Sequence, residues 1–467
     1  MTYLHRRHLL AGMAASGLLA RSAFGQNLES RPPLRPTIDA ASLAKASGLP
    51  GQVGFALTDP ATMRLIEGQA EGAPMPPASI LKAITALYAL SQLGPQHRFR
   101  TRVIRAGDAL ILAGGGDPVL TTDDLATLAG RIVEAGQTTP ARFCVWGGAL
   151  PQVEEITPDQ ADYLAYNPAV SGMILNFNRV HLGWRRTNGG LQMSLEARAA
   201  RNSPRAYTIT AAPGDQRDLF SYRSEGRRES WTVARSAMGR AGSRWLPVRK
   251  PELYAGDVFQ TLCRAKGLVL PNPEVISALP SGDEVAWLES QPLTDILRDM
   301  LRYSTNLTAE VVGLHASRAA TPRQSAQAMQ AWLVAQGQGL NFTLGDHSGL
   351  SDTSRVTAQG MAKLLAGPGL ATGLPALLKK NPLDDDLGAD ADRAAQVLAK
   401  TGTLNFVSNL AGYLQDADGS YRAFALMCMD RPRHVATSGQ ELPAGVATWT
   451  RDAKRLQRRI LQSWAAA

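Results

Sequence analysis

Cysteine is scarce in this chain. The 467 residues include only three, Cys144, Cys263 and Cys428. Three thiols allow at most one disulfide, so no disulfide framework holds the fold together, and a bond between Cys144 and Cys263 stays an open question. Cys428 lies in the apolar run FALMCM, which is typical of a buried strand, and we interpret it as a core residue.

Histidine is also sparse, and its spacing argues against the common metal sites. No two histidines beyond residue 25 stand at a spacing typical of metal ligands, and the His-Glu-x-x-His motif does not occur. The sequence therefore predicts neither a metal centre nor a bound cofactor. The histidines of this part of the chain are His97, His181, His315, His347 and His434.

Long apolar runs are missing after the N-terminus, so no transmembrane anchor is predicted. Residues 1–25 combine Arg6 and Arg7, a short apolar stretch and a small-x-small pattern at 23–25. This combination predicts an export signal, of either the general secretory or the twin-arginine type. We expect a mature chain that begins near Gln26 and is located in the periplasm.

Acidic residues are outnumbered, with 49 lysines and arginines against 40 aspartates and glutamates. Much of the excess is local, because the stretch from Arg217 to Lys250 holds nine basic residues and three acidic ones. A solvated arginine-rich face and a patch for an anionic partner both fit this stretch. An exported protein meets cell-wall polymer or lipid headgroups first, so no nucleic-acid partner is predicted.

Hydrophobic periodicity divides the chain into three parts. Residues 91–285 show short strand-like runs broken by glycine and proline, which predict a β-rich region of one or two nested units. Residues 396–430 predict three strands, the last two joined by the Asp-Gly turn at 416–419. Residues 446–465 predict a basic amphipathic helix that packs on this sheet, although peripheral membrane contact stays open. Its apolar positions are Val446, Trp449, Leu456, Ile460 and Trp464.

The first candidate for chemistry is the pair Ser79 and Lys82, one helical turn apart. The pair follows two prolines and opens the apolar run 80–90, so both side chains are expected in the first turn of a buried helix. Burial lowers the pKa of a lysine, which would let Lys82 accept the proton of a neighbouring serine hydroxyl. A lysine that extends to solvent fits the same four residues.

Similar short patterns elsewhere show how little one motif proves. Ser42 and Lys45 repeat the spacing in an amphipathic segment that has no apolar helix behind it. The glycine run 114–118 lacks the ending of a phosphate loop, and we interpret it as a structural turn. Ser348 follows a histidine, but the Gly-x-Ser-x-Gly elbow is absent, so a tight turn beside a cleft is expected.

Two further motifs support a catalytic interpretation of the pair Ser79 and Lys82. Ser304-Thr305-Asn306 is the only Ser-x-Asn of the chain, and Lys400-Thr401-Gly402-Thr403 contains the only Lys-Thr-Gly. The order Ser-x-x-Lys, Ser-x-Asn, Lys-Thr-Gly is that of penicillin-recognising serine enzymes. The chain resembles the low-molecular-mass class C penicillin-binding proteins, the D-alanyl-D-alanine carboxypeptidase/endopeptidase family (peptidase family S13).

The resemblance extends over nearly the whole mature chain. Beyond the three boxes it includes the Gly-Gly-Asp-Pro segment and the Asn176/Asn178 segment, although as sequence the two asparagines favour structural roles. The gap between Lys82 and Ser304 also matches the large insertion of the family. The chain departs from the family at Thr305, where Asp is more usual, and at His347, where Gly is.

The resemblance implies a fold and a domain division. The expected fold is α/β (α+β), an antiparallel sheet flanked by helices as in serine β-lactamases and transpeptidases. Residues 34–90 and 286–467 would form this catalytic domain, and residues 91–285 would be the β-rich insertion.

The resemblance also implies a role for each site residue. Ser79 would be the nucleophile, neutral Lys82 its base, and Ser304 with Lys400 the route of a proton to the leaving amine. Asn306 would hold Lys82 or the substrate amide. The backbone N–H groups of Ser79 and Thr403 would bind the oxyanion, and the strand residues Thr401, Gly402 and Thr403 the terminal carboxylate. Peptidoglycan peptides are the implied substrates and β-lactams the implied covalent inhibitors.

Two alternatives remain. A β-lactamase would share the acylation residues, but the Glu-x-x-x-Asn box of class A enzymes does not occur between Ser304 and Lys400. A catalytically silent wall-binding protein would retain the fold and use the basic stretch, yet no reactive group is missing. The sequence leaves open the balance of carboxypeptidase and endopeptidase activity and the oligomeric state.

Overall fold

The computed structural model describes residues 39–339 and 341–466. The predicted export signal lies outside these residues. Within them the α-helices are α1 Ala40–Ala46, α2 Leu81–Leu93, α3 Thr122–Glu134, α4 Pro251–Arg264, α5 Leu293–Tyr303, α6 Asn306–Ser317, α7 Pro322–Ala335, α8 Ala358–Leu364, α9 Asp384–Leu387, α10 Arg431–Ala436 and α11 Val446–Ala466.

The strands form four sheets. In chain order they are β1 Gln52–Thr58, β2 Leu65–Gln69, β3 Arg100–Ala106, β4 Ala109–Ala113, β5 Arg142–Trp146, β6 Arg179–Thr187, β7 Gly190–Glu196, β8 Ile209–Gly214, β9 Phe220–Glu225, β10 Arg228–Ala234, β11 Ala241–Pro247, β12 Pro273–Ile276, β13 Asp283–Glu289, β14 Lys379–Lys380, β15 Gln396–Leu404, β16 Val407–Gln415 and β17 Tyr421–Met429.

A six-stranded antiparallel sheet is built from both ends of the chain. Its order is β14-β15-β16-β17-β1-β2, so the N-terminal hairpin pairs with the last strand. The turn at 416–419 joins β16 to β17, as its Asp-Gly step predicts, and Gly419 N donates to Asp416 O. This sheet carries the Lys-Thr-Gly box on β15.

Side-chain alternation gives this sheet two different faces. Phe55, Phe424 and Leu426 point to one face, where α1 and α11 cover them. Alanines such as Ala56 and Ala425 point to the other face, where they pack in one core with α2 and α8. All five apolar positions predicted for α11 are buried, so the helix packs on the sheet as expected.

The region between β3 and β13 forms the other three sheets. A five-stranded mixed sheet has the order β12-β5-β4-β3-β13, and two three-stranded sheets have the orders β11-β6-β7 and β8-β10-β9. The strand-like runs in the sequence do form strands here. The division at residues 90 and 286 stays a prediction.

Two helices of this region were not expected from the sequence. The helix α3 begins with a capping box between Thr121 and Asp124, and α4 begins with Pro251 in its first turn. Both are local start signals that the glycine and proline content of the region obscures. The two helices pack against each other beside the five-stranded sheet.

The basic stretch from Arg217 to Lys250 lies on β9, β10, β11 and the segments that join them. Most of its side chains are exposed. Arg249 is different, because it is buried and its guanidinium donates to the backbone carbonyls of Glu154, Asp162 and Asn167. Arg249 is therefore part of the core and not of any surface patch.

The three cysteines are buried free thiols, so the open question of a bond between Cys144 and Cys263 is settled against it. Burial raises the pKa of Cys263 and of Cys428 to about 12, which keeps both as neutral core side chains. Among residues 39–339 and 341–466, no helix has the length and apolarity to cross a bilayer. The same residues contain no cluster of potential metal ligands.

Candidate active site

Ser79 lies in a short 3-10 turn, Ala78–Ile80, that leads directly into α2. The preceding Ala78 has a left-handed backbone with φ of 47°, a conformation that costs a non-glycine residue about 1 kcal/mol. The surroundings impose this conformation. Gly349 packs on the Ala78 carbonyl so closely that a Cβ at 349 would lie 1.8 Å from Ala78 O.

A buried asparagine on the sheet holds the chain before the serine. Asn409 Nδ2 donates to Pro76 O at 2.8 Å and to Pro77 O at 2.9 Å, and its Oδ1 accepts from Cys428 N at 3.3 Å. Sequence reasoning did not identify Asn409. The signal was an amide in the mostly apolar strand β16, where a buried polar side chain needs partners because such groups are costly when unpaired.

We predict that Asn409→Asp, which keeps the size but removes both amide donors, lowers the free energy of unfolding by about 2–4 kcal/mol. The rate of penicillin acylation should fall as well, because the Pro76-Pro77 segment no longer fixes Ser79. Urea unfolding and stopped-flow acylation measure the two effects. Acylation at the wild-type rate would contradict a positioning role for Asn409.

Lys82 is completely buried beneath Ser79, and its hydrogen bonds fix its geometry. Nζ donates to Asn306 Oδ1 at 2.8 Å and to Ser348 O at 2.7 Å, and it lies 2.9 Å from Ser79 Oγ. Asn306 Nδ2 donates to Tyr166 O, so the orientation of this amide is fixed and its oxygen faces Lys82. A neutral amine with both N–H groups used in this way directs its lone pair at Ser79.

Burial lowers the pKa of Lys82 to about 7, although the carboxylates of Asp346 and Glu310 oppose the shift. Both acids are buried and hold the loop that carries Ser348. Glu310 accepts from Ser348 N at 2.8 Å, and Asp346 Oδ2 accepts from Leu350 N at 2.7 Å. Ser348 thus lies in a tight turn beside the cleft, and its carbonyl, not its hydroxyl, contacts the site.

The second box and the third box meet across the cleft. Ser304 connects α5 to α6 with a left-handed backbone, φ 60° and ψ 38°. Lys400 Nζ donates to Ser304 Oγ at 3.0 Å and to Thr401 O at 2.8 Å. Burial, followed by the charge of Lys82, holds the pKa of Lys400 well below its usual value. Two serine–lysine pairs therefore face one another in a site of low dielectric.

Gly402 lets strand β15 approach the nucleophile. A Cβ at this position would lie 2.8 Å from Pro77 O and 3.0 Å from Ser79 N, closer than side chains pack. The neighbouring Thr403 is exposed on the cleft side. The backbone of β15 thereby runs directly beside the turn that holds Ser79.

These groups border an open cleft of about 570 Å³. Ser79, Ser304, Asn306 and Thr403 line it, while Lys82 and Lys400 lie beneath its floor. The region between β3 and β13 contributes Gln160 and Tyr166, which sequence reasoning did not identify because 140 residues separate Tyr166 from its partner Asn306.

Other residues singled out in the sequence lie elsewhere. Ser42 is exposed on α1, where its Oγ donates to Asp39. Asn176 and Asn178 are buried and bond to Thr122 and to Ala169 O, which are structural roles within the region between β3 and β13. The glycine run 114–118 is a close-packed turn, since a Cβ at Gly115 would lie 2.0 Å from Arg100 O.

A family model described as the D-Ala-D-Ala carboxypeptidase 3 (S13) family matches residues 37–452. The chain belongs to this family. Membership agrees with the resemblance noted in the sequence, and the protein is a serine-type D-Ala-D-Ala carboxypeptidase, a hydrolase of the peptidase class.

The chain is similar to several named proteins. The D-alanyl-D-alanine carboxypeptidase of Actinomadura sp. (strain R39) is 27% identical over 442 residues, which are 84% of this chain and 80% of that protein. Carboxypeptidase DacB of Mycolicibacterium smegmatis is 27% identical over 421 residues, covering 83% and 79%.

The chain is also similar to the crystal structure of penicillin binding protein 4 (dacB) from Haemophilus influenzae, with a TM-score of 0.72 and 19% sequence identity. The similarity covers 91% of the present chain and 99% of the Haemophilus influenzae chain. This similarity confirms the predicted α/β fold, with antiparallel sheets and flanking helices.

Proposed function

We propose that this S13 carboxypeptidase cleaves the bond between the two terminal D-alanines of peptidoglycan stem peptides through an acyl-enzyme on Ser79. The position of Lys82 carries the proposal. Its two N–H groups are used by Asn306 Oδ1 and Ser348 O, so the remaining lone pair of the neutral amine points at Ser79 Oγ. That is the geometry of a base that activates a serine.

The acylation step follows from these contacts. Neutral Lys82 takes the proton of Ser79, and Oγ attacks the carbonyl carbon of the penultimate D-alanine. The backbone N–H groups of Ser79 and Thr403 stabilise the oxyanion. As the C–N bond breaks, Ser304 passes a proton from Lys400 to the leaving amine, and free D-alanine departs.

Recognition of the substrate end is assigned to β15. The hydroxyls of Thr401 and Thr403, backed by the ammonium of Lys400, suit the terminal carboxylate. Deacylation uses the same groups with water in place of D-alanine. A β-lactam presents the same carboxylate and carbonyl, so it should acylate Ser79 and remain bound.

We extend the proposal to D-alanyl cross-links between stem peptides. Besides Ser79 and Ser304, the cleft is lined by Gln160, Tyr166 and side chains from residues 437–454. We expect the second peptide of a cross-link to bind within this cleft of about 570 Å³. An enzyme that cleaves cross-linked peptidoglycan would act in the periplasm. This location agrees with the predicted export signal.

Release of D-alanine from a synthetic pentapeptide that ends in D-Ala-D-Ala tests the proposal. A matched peptide that ends in D-Ala-L-Ala is the control, and a purified cross-linked muropeptide dimer tests the extension. We expect D-alanine only from the first peptide and slow conversion of the dimer to monomers. Rapid penicillin hydrolysis without any D-alanine release would instead favour a β-lactamase.

A further inference from the structure

A second cavity of about 610 Å³ lies between the inserted region and helices α5 and α6. It shares a wall with the catalytic cleft. Tyr303 and Thr305 line the second cavity, whereas Ser304 and Asn306, which alternate with them along the chain, line the catalytic cleft. One short connection between two helices thus borders both spaces.

Among the described residues, one buried carboxylate that lines this cavity has an oxygen without a hydrogen-bond donor. Asp117 is only 7% exposed, and while its Oδ1 accepts from Val119 N at 2.9 Å, its Oδ2 accepts nothing. Thr308 Oγ1 and Arg179 Nε also lack a hydrogen bond, but both atoms are closed off from the cavity and are not available to a ligand. A buried carboxylate oxygen without a partner costs about 1–3 kcal/mol, so Asp117 Oδ2 marks a place where a ligand in the cavity would gain a hydrogen bond.

The lining defines the chemistry of that ligand. Arg179 is the one cation among the described lining residues, and its guanidinium lies over the rings of Phe177 and Trp245, at 5.0 Å and 5.6 Å from their centres. Asp117, Glu289 and Asp299 supply carboxylates, and apolar side chains with the rings of Phe177 and Tyr303 form the rest of the wall. A molecule with a carboxylate for Arg179, an ammonium for the acids and an apolar body between them fits this lining.

We propose that this cavity is an effector site for a short zwitterionic peptide of the stem-peptide class. The choice of stem peptides rests on the proposed function, whereas the zwitterionic chemistry rests on the lining alone. The volume, similar to that of the catalytic cleft, is sufficient for a peptide of several residues.

A peptide bound in the effector site should change how Ser304 is held. This residue has a sparsely populated backbone conformation and contacts Lys400, and its two neighbours are Tyr303 and Thr305. A peptide that packs on those neighbours changes how Ser304 is held. By thermodynamic reciprocity, acylation of Ser79 then changes the affinity for the peptide by the same factor as the peptide changes the acylation equilibrium.

Calorimetric titration of the full chain tests the site. The protein is first acylated with penicillin, because the acyl group blocks the catalytic cleft. The probe is the tripeptide L-Ala-γ-D-Glu-L-Lys, which has no D-alanine end to cleave. We expect one binding site, weakened at least about tenfold by Arg179→Gln and by Asp299→Asn. The matched control Arg223→Gln removes an exposed arginine of β9 and should bind as wild type.

Absence of binding to the acylated protein would overturn the proposal, as would equal affinity in all variants. Asp299 and Tyr303 are exposed, so Asp299→Asn and Tyr303→Ala decide the question if Arg179→Gln does not fold. If penicillin does not acylate the protein, so that the mass of the protein does not increase, that result counts against the proposed function only. The same titration of the unmodified variants would then still decide the effector site.

Discussion

Replacement of Ser79 by alanine is expected to lower kcat for D-alanine release by at least about 10⁴-fold. Without Oγ no acyl-enzyme can form, and binding with oxyanion stabilisation leaves only a small residual rate. The loss should appear in kcat and not in substrate affinity, because the substitution leaves the proposed carboxylate subsite on β15 unchanged. Steady-state kinetics and equilibrium binding of the pentapeptide separate the two.

Ser42→Ala is the matched control for this prediction. Ser42 has the same spacing to a lysine as Ser79, but it is exposed on α1 and its Oγ donates to Asp39 Oδ2. Its replacement should leave kcat and KM unchanged. Retained activity in Ser79→Ala, or a comparable loss in Ser42→Ala, would show that the nucleophile is another residue.

Replacement of Lys82 by arginine should lower the rate of acylation by about 10³-fold or more. Arginine stays protonated at working pH, whereas Lys82 is largely neutral above pH 7, so arginine cannot accept the proton of Ser79. Lys45→Arg makes the same change at the exposed pair on α1 and should have no effect. Stopped-flow acylation by a fluorescent penicillin measures both variants.

The wild-type pH profile follows from the same argument. Burial lowers the pKa of Lys82 to about 7, so the neutral base is the minor form below that pH and the major form above it. The acylation rate should therefore rise with pH and level off once Lys82 is neutral, with a midpoint near 7. A rate that is flat between pH 5 and pH 9, or a fully active Lys82→Arg, would exclude Lys82 as the base.

Local patterns allowed much of the site to be predicted. The three boxes are short motifs whose backbone positions follow from an apolar helix, a break between helices and a strand. The apolar positions of α11 and the Asp-Gly hairpin are equally local signals. Such features depend on neighbours within a few residues, which one sequence displays directly.

The supporting contacts could not be predicted, because they join distant parts of the chain. Asn409 contacts Pro76 across 333 residues, and Ser348 O reaches Lys82 across 266. The contacts of Glu310 and the lining of the second cavity likewise depend on which buried polar groups find partners. That outcome is decided by packing in three dimensions, and no local pattern encodes it.

The central claim is that Ser79 carries the acyl group, and peptide mapping of the penicillin adduct tests it most directly. The protein is labelled with penicillin, digested and examined by tandem mass spectrometry, with Ser79→Ala and Ser42→Ala in parallel. We predict one stable adduct per chain on Ser79, present in Ser42→Ala and absent from Ser79→Ala. An adduct on any other residue, or penicillin hydrolysis without an adduct, would contradict the account.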